Sequence, residues 1–565
     1  MSNVEMPDAN AGRLRARAVV AVAALSLVLV LGGWLLQRGL HRDNGAYQRA
    51  QLFEQVRSHV ERDFVDSIAD SDIYRKAAEG VVRELHDPHS VYLTADRLRA
   101  LTESTSGHYA GIGIQIDVRD GWITIVAPLP GTPAERAGIQ PGDRIVSIDG
   151  KSTEGWTPDD ARGALRGKPG STVVLQIERP GVPARIPFTL ARGEIQVHSV
   201  RHVSMIGDGV GYLNLTIFSD SSADEVKQAV TQLRAQGMKT LVMDLRANPG
   251  GLLEQGIQIA DLFLDPGMPI VSVRGRGLAQ TYADEAKQLW PDLKLITLVD
   301  EHSASASEIV AGALQDHDRA AIIGTTSYGK GSAQSVFHLD DSASALKLTT
   351  ARWFTPSGRS IQKAAVVIPG SDADDEDGAP PSTTKGVAAD SGAELPLAKR
   401  TPFKTDDGRV VYGGGGITPD LFVSASDSIN GTRAFWRMIG AGAPKFRDAL
   451  TESALAAKSA HAVQTPDFVV TSALRESFWQ RVVAKGIKLD RVHFDSAGAA
   501  VDRLLGLEIA RYALGPEAEF KRRLDDDRVI AAALALTAGA QVENDLLRRA
   551  GTRRAEKHED VPHTT

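Results

Sequence analysis

Glu301-His302-Ser303-Ala304-Ser305-Ala306-Ser307-Glu308-Ile309-Val310 is the stretch on which the reading of this chain turns. Just before it, LKLITLV (Leu293 to Val299) has the unbroken apolar character of a short buried strand. Just after it, Ala306, Ile309, Val310, Ala313 and Leu314 fall on one helix face. Three serines therefore stand where a strand hands over to a helix N-terminus, and free N–H groups and the positive end of the helix dipole favour a developing negative charge there. The same residues also satisfy a plainer pattern, because Ser305-x-x-Glu308 matches a capping box and serine is a favoured cap. The stretch alone leaves both readings open.

Working outward, the pattern repeats. VGYLNLTIFSD (Val210 to Asp220) alternates as a strand, and SADEVKQAVTQLRAQG (Ser222 to Gly237) follows as an amphipathic helix. A strand over Leu241 to Leu245, a turn at Gly250 and Gly251 and a helix over Leu252 to Phe263 come next. Beyond the serines, AAIIG (Ala320 to Gly324) opens another strand and leads into the loop TTSYGKGSAQ. Alternating strands and helices with short links predict an α/β layered domain, in which ligands gather beyond the carboxyl ends of the strands. A serine nucleophile needs a base. His302 lies in the same tight turn and His317 three helical turns away, whereas Lys330 stands between Gly329 and Gly331 in a loop after a buried strand. A neutral amine can take a serine proton when burial lowers its pKa from about 10.4 toward about 7 to 8.

At 565 residues the chain is too long for one core. The net charge of −7 gives no basic footprint for nucleic acid, and the absence of cysteine excludes disulfides and thiolate metal sites. The 14 histidines form no ligand pattern; His86 and His89 sit in a proline turn with no third ligand nearby, so no metal and no cofactor are expected.

AVVAVAALSLVLVLGGWLL (Ala18 to Leu36) is an uncharged run of 19 residues, long enough to cross a bilayer as a helix. Arg13, Arg15 and Arg17 before it predict a cytoplasmic N-terminus (1–17), and the long apolar run favours an uncleaved single-pass anchor (18–37) over a signal peptide. An inner-membrane protein with its catalytic part in the periplasm is the expectation. Residues 45–105 carry helical spacing, as in Leu52, Val56, Val60 and Phe64.

Between 106 and 198 short strands and glycine turns take over. GIGIQIDV (Gly111 to Val118), WITIVAPL across the Asp120-Gly121 turn, GTPAERAGIQPGDRIVSIDGKS (Gly131 to Ser152) and a helix over Thr157 to Gly167 follow in order. This run resembles a PDZ domain. Such modules bind an extended peptide by strand addition, with backbone amides capturing its terminal carboxylate. The resemblance implies that Gly111, Ile112, Gly113 and Ile114 form the carboxylate loop.

DLRxNPGG (Asp244 to Gly251), SASASEIVAGALQD (Ser303 to Asp316), YGKGxxQ (Tyr328 to Gln334) and TPSGRSIQ (Thr355 to Gln362), in that order behind the PDZ-like run, resemble the C-terminal processing peptidases, also called tail-specific proteases. The resemblance covers 47 to 423. It implies an α/β layered core of the crotonase/ClpP type (199–365 and 400–425) and a serine endopeptidase with a Ser-Lys dyad. The nucleophile is then Ser305, the base Lys330, and Gln334 the residue that orients the lysine. The amides of Gly251 and Ala306 form the oxyanion hole. The implied substrates are proteins whose C-termini the PDZ domain engages. The alternative is a catalytically silent PDZ scaffold of the cell envelope.

SDADDEDGAPPSTTKG (Ser371 to Gly386) is acidic and Pro/Ser-rich, so a flexible insertion is expected over 366–399. FKTDDGRVVYGGGGITPD (Phe403 to Asp420) returns to the core as a hairpin. Helical patterns dominate 426–550 and point to a small helical domain for self-association (a homo-oligomer) or docking of an adaptor protein, with 551–565 as a tail.

Overall fold

A computed structural model describes residues 48–180, 182–339, 343–363, 400–424 and 432–559. The expected anchor (18–37), the acidic insertion and the end of the tail beyond 559 lie outside the described residues. Among the described residues, no helix is long and apolar enough to cross a membrane. The chain divides into two compact units at Tyr92/Leu93. In the first, the described residues form a helix over 48–63 and another over Asp70–Arg83.

The second unit is built around a six-stranded sheet: β1 (Val200–Gly207), β2 (Val210–Leu215), β3 (Thr240–Asp244), β4 (Lys294–Val299), β5 (Ala321–Gly324) and β6 (Leu421–Phe422), hydrogen-bonded in that order. β1 and β2 are antiparallel, and every later pairing is parallel. Three helices make the crossovers: α1 (Ser222–Ala235) between β2 and β3, α2 (Leu253–Asp261) between β3 and β4, and α3 (Ala306–Asp316) between β4 and β5. Successive strand residues face opposite sides of a sheet. Leu241, Met243 and Leu295 accordingly pack with Val226, Val230, Ile259, Ile309 and Val310 from these helices.

The residues between them, Val242, Ile296 and Leu298, face the other way and meet a layer of a different origin. Phe520, Val529, Ile530, Ala533, Leu536, Leu546 and Leu547, from helices Pro516–Asp525, Arg528–Thr537 and Glu543–Glu559, cover that face. The helical region thus does two jobs. Its first part closes a core of its own around Phe435, Phe446, Phe478, Phe494 and Tyr512. Its last part is the second layer of the sheet, where the sequence suggested only a separate helical domain. The reason is visible in the strands: TLVMD and AIIG are buried at every position, which a sheet tolerates only with both faces covered.

Ahead of this core, strands Ile114–Arg119, Trp122–Pro128, Arg144–Ile148, Thr172–Glu178 and Ile186–Ala191 form an antiparallel sheet with helix Pro158–Leu165 beside it. A second antiparallel sheet carries Pro269–Gly275, Leu278–Ala283, Ser332–His338 and Ala345–Phe354.

Candidate active site

The three serines have separate fates. Ser303 and Ser307 are fully buried, and each hydroxyl donates to a backbone carbonyl: Ser303 Oγ to Leu245 O at 2.8 Å and Ser307 Oγ to Asn248 O at 3.0 Å. Ser305 is half-buried. Its backbone stands at φ 53° and ψ −113°, in a region that a residue with a side chain rarely enters and that typically costs about 1–3 kcal/mol. Ser305 stands at the N-cap of α3, and the capping box anticipated from the sequence is present, with Glu308 accepting the Ser305 N–H at 2.8 Å.

Opposite it runs the turn after β3. Gly250 and Gly251 adopt φ 93° and 151°. A Cβ on Gly250 would land 2.8 Å from Ser305 Cβ and 3.0 Å from Ala306 N, and one on Gly251 would land 2.1 Å from Phe218 O. Only glycine lets this turn lie so close to the serine. Phe218 N–H donates to Gly250 O at 3.0 Å and Leu252 N–H to Phe218 O at 2.9 Å. The N–H groups of Gly251 and Ala306 have no acceptor among the described residues. Among the described residues, two amides without acceptors thus stand beside Ser305.

Lys330 lies on the loop between β5 and strand Ser332–His338 and is half-buried. What ties this loop to the serine is Glu308, fully buried on the first turn of α3. Its Oε2 accepts the N–H of Ser305 at 2.8 Å and that of Lys330 at 2.9 Å; its Oε1 accepts Gly329 N–H at 2.6 Å and the Ser327 hydroxyl at 2.5 Å. Burial pushes this carboxyl up from its ordinary pKa, and the donors from Ser327, Lys330, Gly329 and Ser305 pull against that shift. The other side of the lysine loop rests on the TPSGRSIQ segment: Gly331 N–H donates to Gln362 Oε1 at 3.0 Å and Lys363 N–H to Gly329 O at 2.9 Å. The Arg359 guanidinium in the same segment is buried and donates to Asp316 Oδ1 at 2.7 Å and Gln315 Oε1 at 2.8 Å at the far end of α3.

Gln334 lies four residues past the lysine, and its amide donates to Ser332 Oγ at 3.0 Å and Thr349 Oγ1 at 3.3 Å, within its own hairpin. His302 is exposed and 3.7 Å from Asp300. His317 caps the opposite end of the 11-residue α3, about 16 Å from Ser305 at about 1.5 Å per residue, and its ring nitrogens meet Asp406 and Pro269 O at 2.7 Å each. Neither imidazole is hydrogen-bonded to Ser305 among the described residues. Asp300, Glu301 and His302 bring potential ligand atoms within 4.8 Å of one another, but Asp300 already accepts N–H groups from Ala247 and His302, and Glu301 accepts from Thr325.

In the preceding module, Gly111, Ile112, Gly113 and Ile114 line a groove of about 150 Å³ with Tyr109, Leu165 and Arg166. The N–H groups of Ile112 and Gly113 have no acceptor among the described residues, whereas both carbonyls are bonded, to Ala134 N–H and Leu129 N–H. Gly113 is at φ 76°, and a Cβ there would fall 2.3 Å from Thr132.

The structure sets the predicted glycine turn against Ser305 and ties the predicted Lys330 loop to the same Glu308 carboxylate as the serine. Sequence reasoning took Glu308 only as a cap partner and assigned no role to Asn248 or Gln362. The available signal was an acidic residue in the first turn of a helix that is otherwise apolar or small up to Leu314; such a buried carboxylate must find several donors.

An α/β core offering a half-buried serine beside two open amides, joined to a peptide-binding type of module, is the frame of a serine-type peptidase. A family model described as peptidase family S41 matches residues 209–369, and one described as a PDZ domain matches 124–179. A carboxy-terminal-processing protease of Bartonella bacilliformis is 39% identical over 328 residues, 57% of this chain and 74% of that relative. The carboxy-terminal processing protease CtpA of Bacillus subtilis is 34% identical over 393 residues, 69% and 78% of the two chains. The solved photosystem II D1 C-terminal processing protease aligns at 29% identity and a TM-score of 0.33, over 55% of this chain and 90% of that one. The chain belongs to the carboxy-terminal-processing serine proteases of peptidase family S41.

Proposed function

We propose that Ser305 is the nucleophile and Lys330 its general base. The serine hydroxyl passes its proton to the lysine amine as Oγ attacks the scissile carbonyl carbon. The carbonyl oxygen takes up negative charge between the N–H groups of Gly251 and Ala306. The lysine then protonates the departing amine, and water releases the acyl-enzyme by the reverse sequence. Gln334 orients the lysine through the strand that leaves the lysine loop, by way of Ser332. The observation that supports this reading is the contrast among the serines: the Ser303 and Ser307 hydroxyls are buried on backbone carbonyls, whereas Ser305 is half-buried and, among the described residues, stands beside two backbone amides without acceptors.

The substrate reading follows from the PDZ loop. The open amides of Ile112 and Gly113 suit a terminal carboxylate, so the tail of a polypeptide is held there while its chain is cut in the core. We place the enzyme at the inner membrane, anchored by 18–37 with the catalytic unit in the periplasm, on the strength of the apolar run and the arginines before it.

The test uses the full-length chain and an unfolded reporter ending in a free carboxylate. Ser305→Ala and Lys330→Ala are each expected to abolish turnover, and amidating the reporter's tail is expected to raise KM. Turnover by folded Ser305→Ala would refute the nucleophile assignment, and equal handling of both tails would refute the PDZ reading.

A further inference from the structure

Asn248 sits at the centre of the turn that faces the serine, fully buried, and no part of the dyad chemistry requires it. Its side chain bridges two fixed backbone groups. Nδ2 donates to the Leu215 carbonyl at the end of β2 at 2.8 Å, and Oδ1 accepts the Gly250 N–H at 2.9 Å. A carbonyl can only accept and an N–H can only donate, so the amide has one workable orientation. Aspartate would set an oxygen against the Leu215 carbonyl, and alanine would leave both groups unpaired. The Asn248 backbone completes the brace. Its carbonyl accepts Ala304 N–H at 3.0 Å and the Ser307 hydroxyl at 3.0 Å, one on each side of Ser305. The residue before it, Ala247, is held at φ 57°, so the turn does not take this shape by default.

These bonds account for the groups around Gly251. The Gly250 N–H goes to Asn248, the Gly250 carbonyl to Phe218 N–H and the Leu252 N–H to the Phe218 carbonyl, which leaves the Gly251 N–H unoccupied beside that of Ala306. We infer that Asn248 is a positioning residue of the hydrolytic step: by fixing both the glycine turn and the loop that carries Ser305, it aims the Gly251 and Ala306 amides at one point. The inference rests on the oxyanion role given to those amides above. Asn248 touches neither substrate nor the reacting atoms.

The full-length chain carrying Asn248→Asp or Asn248→Ala is compared with wild type for peptide hydrolysis, thermal unfolding and binding of a peptide aldehyde. In the aldehyde adduct the Ser305 oxygen bonds the aldehyde carbon while the hydroxyl proton leaves to the base, and the former carbonyl oxygen occupies the oxyanion position. Loss of an oxyanion donor lowers kcat by about 100-fold or more, and the expected result is a fall of that order with KM within about threefold and aldehyde affinity falling in parallel. With Asn248→Asp, the ratio of variant to wild-type kcat should rise as pH falls, because a protonated carboxyl regains a donor for the Leu215 carbonyl. Wild-type aldehyde affinity in either folded variant overturns the inference, and so does failure of both variants to fold, which would make the role structural. Gly251→Ala separates the two claims. If it keeps aldehyde affinity, the oxyanion assignment itself fails; if it loses affinity while both Asn248 variants keep it, only the role of Asn248 fails.

Discussion

Ser305 and Lys330 donate their backbone N–H groups to one atom, Oε2 of Glu308, at 2.8 Å and 2.9 Å. The two residues come from different loops, 25 positions apart in sequence. A single buried carboxylate therefore sets their spacing, and its other oxygen holds Gly329 and Ser327 from the same lysine loop. Glutamine is a poor replacement, because either placement of its NH2 group sets it against at least one backbone N–H, that of Gly329 or those of Ser305 and Lys330. Glu308→Gln is expected to lower kcat at least tenfold and to lower the unfolding midpoint, as buried donors left unpaired cost about 1–3 kcal/mol each. Urea unfolding and steady-state kinetics on one preparation check both effects.

The serines offer an internal control. Ser303→Ala removes a hydroxyl that bonds the Leu245 carbonyl and accepts Asp300 N–H at 2.9 Å. It should cost about 1–3 kcal/mol of stability while the folded fraction keeps turning over. Ser305→Ala should show the reverse, with a smaller loss of stability than Ser303→Ala, since Ser305 is only half-buried, and no turnover. Equal losses of activity in the two variants would dissolve the distinction between them.

The Arg359–Asp316 pair is buried on both sides, at 0% and 1% side-chain exposure, and joins the segment under the lysine loop to the end of α3. Removing one partner from a buried pair leaves an uncompensated charge and costs about 3–5 kcal/mol. Arg359→Met and Asp316→Asn should each destabilise by that order in chemical denaturation. The double variant should lose less than the sum of the two, because no lone charge remains.

Glu543 supplies a pH signature. Its carboxyl accepts Leu295 N–H at 2.7 Å where the last helix meets the sheet, and burial pushes its pKa up to about 8, against the pull of that bond and of the Arg319 and Lys294 charges. The folded state therefore holds a proton that the unfolded chain, with an ordinary carboxyl, releases near pH 4.5. The stability from this group is full below that value and is lost as pH rises toward about 8. Glu543→Gln should flatten that part of the curve and raise stability at the alkaline end, as read by thermal unfolding across pH 5 to 9.

Much of this fold and site is legible in the sequence. The strand before the serines, the glycine turn at Gly250 and the PDZ-like run announce themselves through local pattern, since periodicity and turn chemistry are short-range properties. What stayed hidden depends on contacts across long separations. Nothing near Val242 says that Val529 and Ile530 will cover it, though the apolar run Leu241 to Met243 within its strand says that something must. Glu308 reads locally as half of a capping box, and its bonds to Ser327, Gly329 and Lys330 appear only once the lysine loop folds back. Asn248 sits in a turn motif where asparagine is ordinary, so its bridge from Leu215 to Gly250 carries no local mark. Gln334 was matched by motif, and the hydroxyls of Ser332 and Thr349 that it bonds come from hairpin register.

The late helices on the back of the sheet also impose an order in time. The last strand, Leu421–Phe422, is followed by a long stretch of chain before Phe520, Val529 and Leu546 arrive to cover Val242, Ile296 and Leu298. During synthesis the serine, the lysine and every strand of the sheet have emerged while one face of that sheet is still wet and unable to pack. The sheet therefore completes its packing only after the C-terminal helices have been made, and a chain ending before Pro516 would leave Val242, Ile296 and Leu298 uncovered.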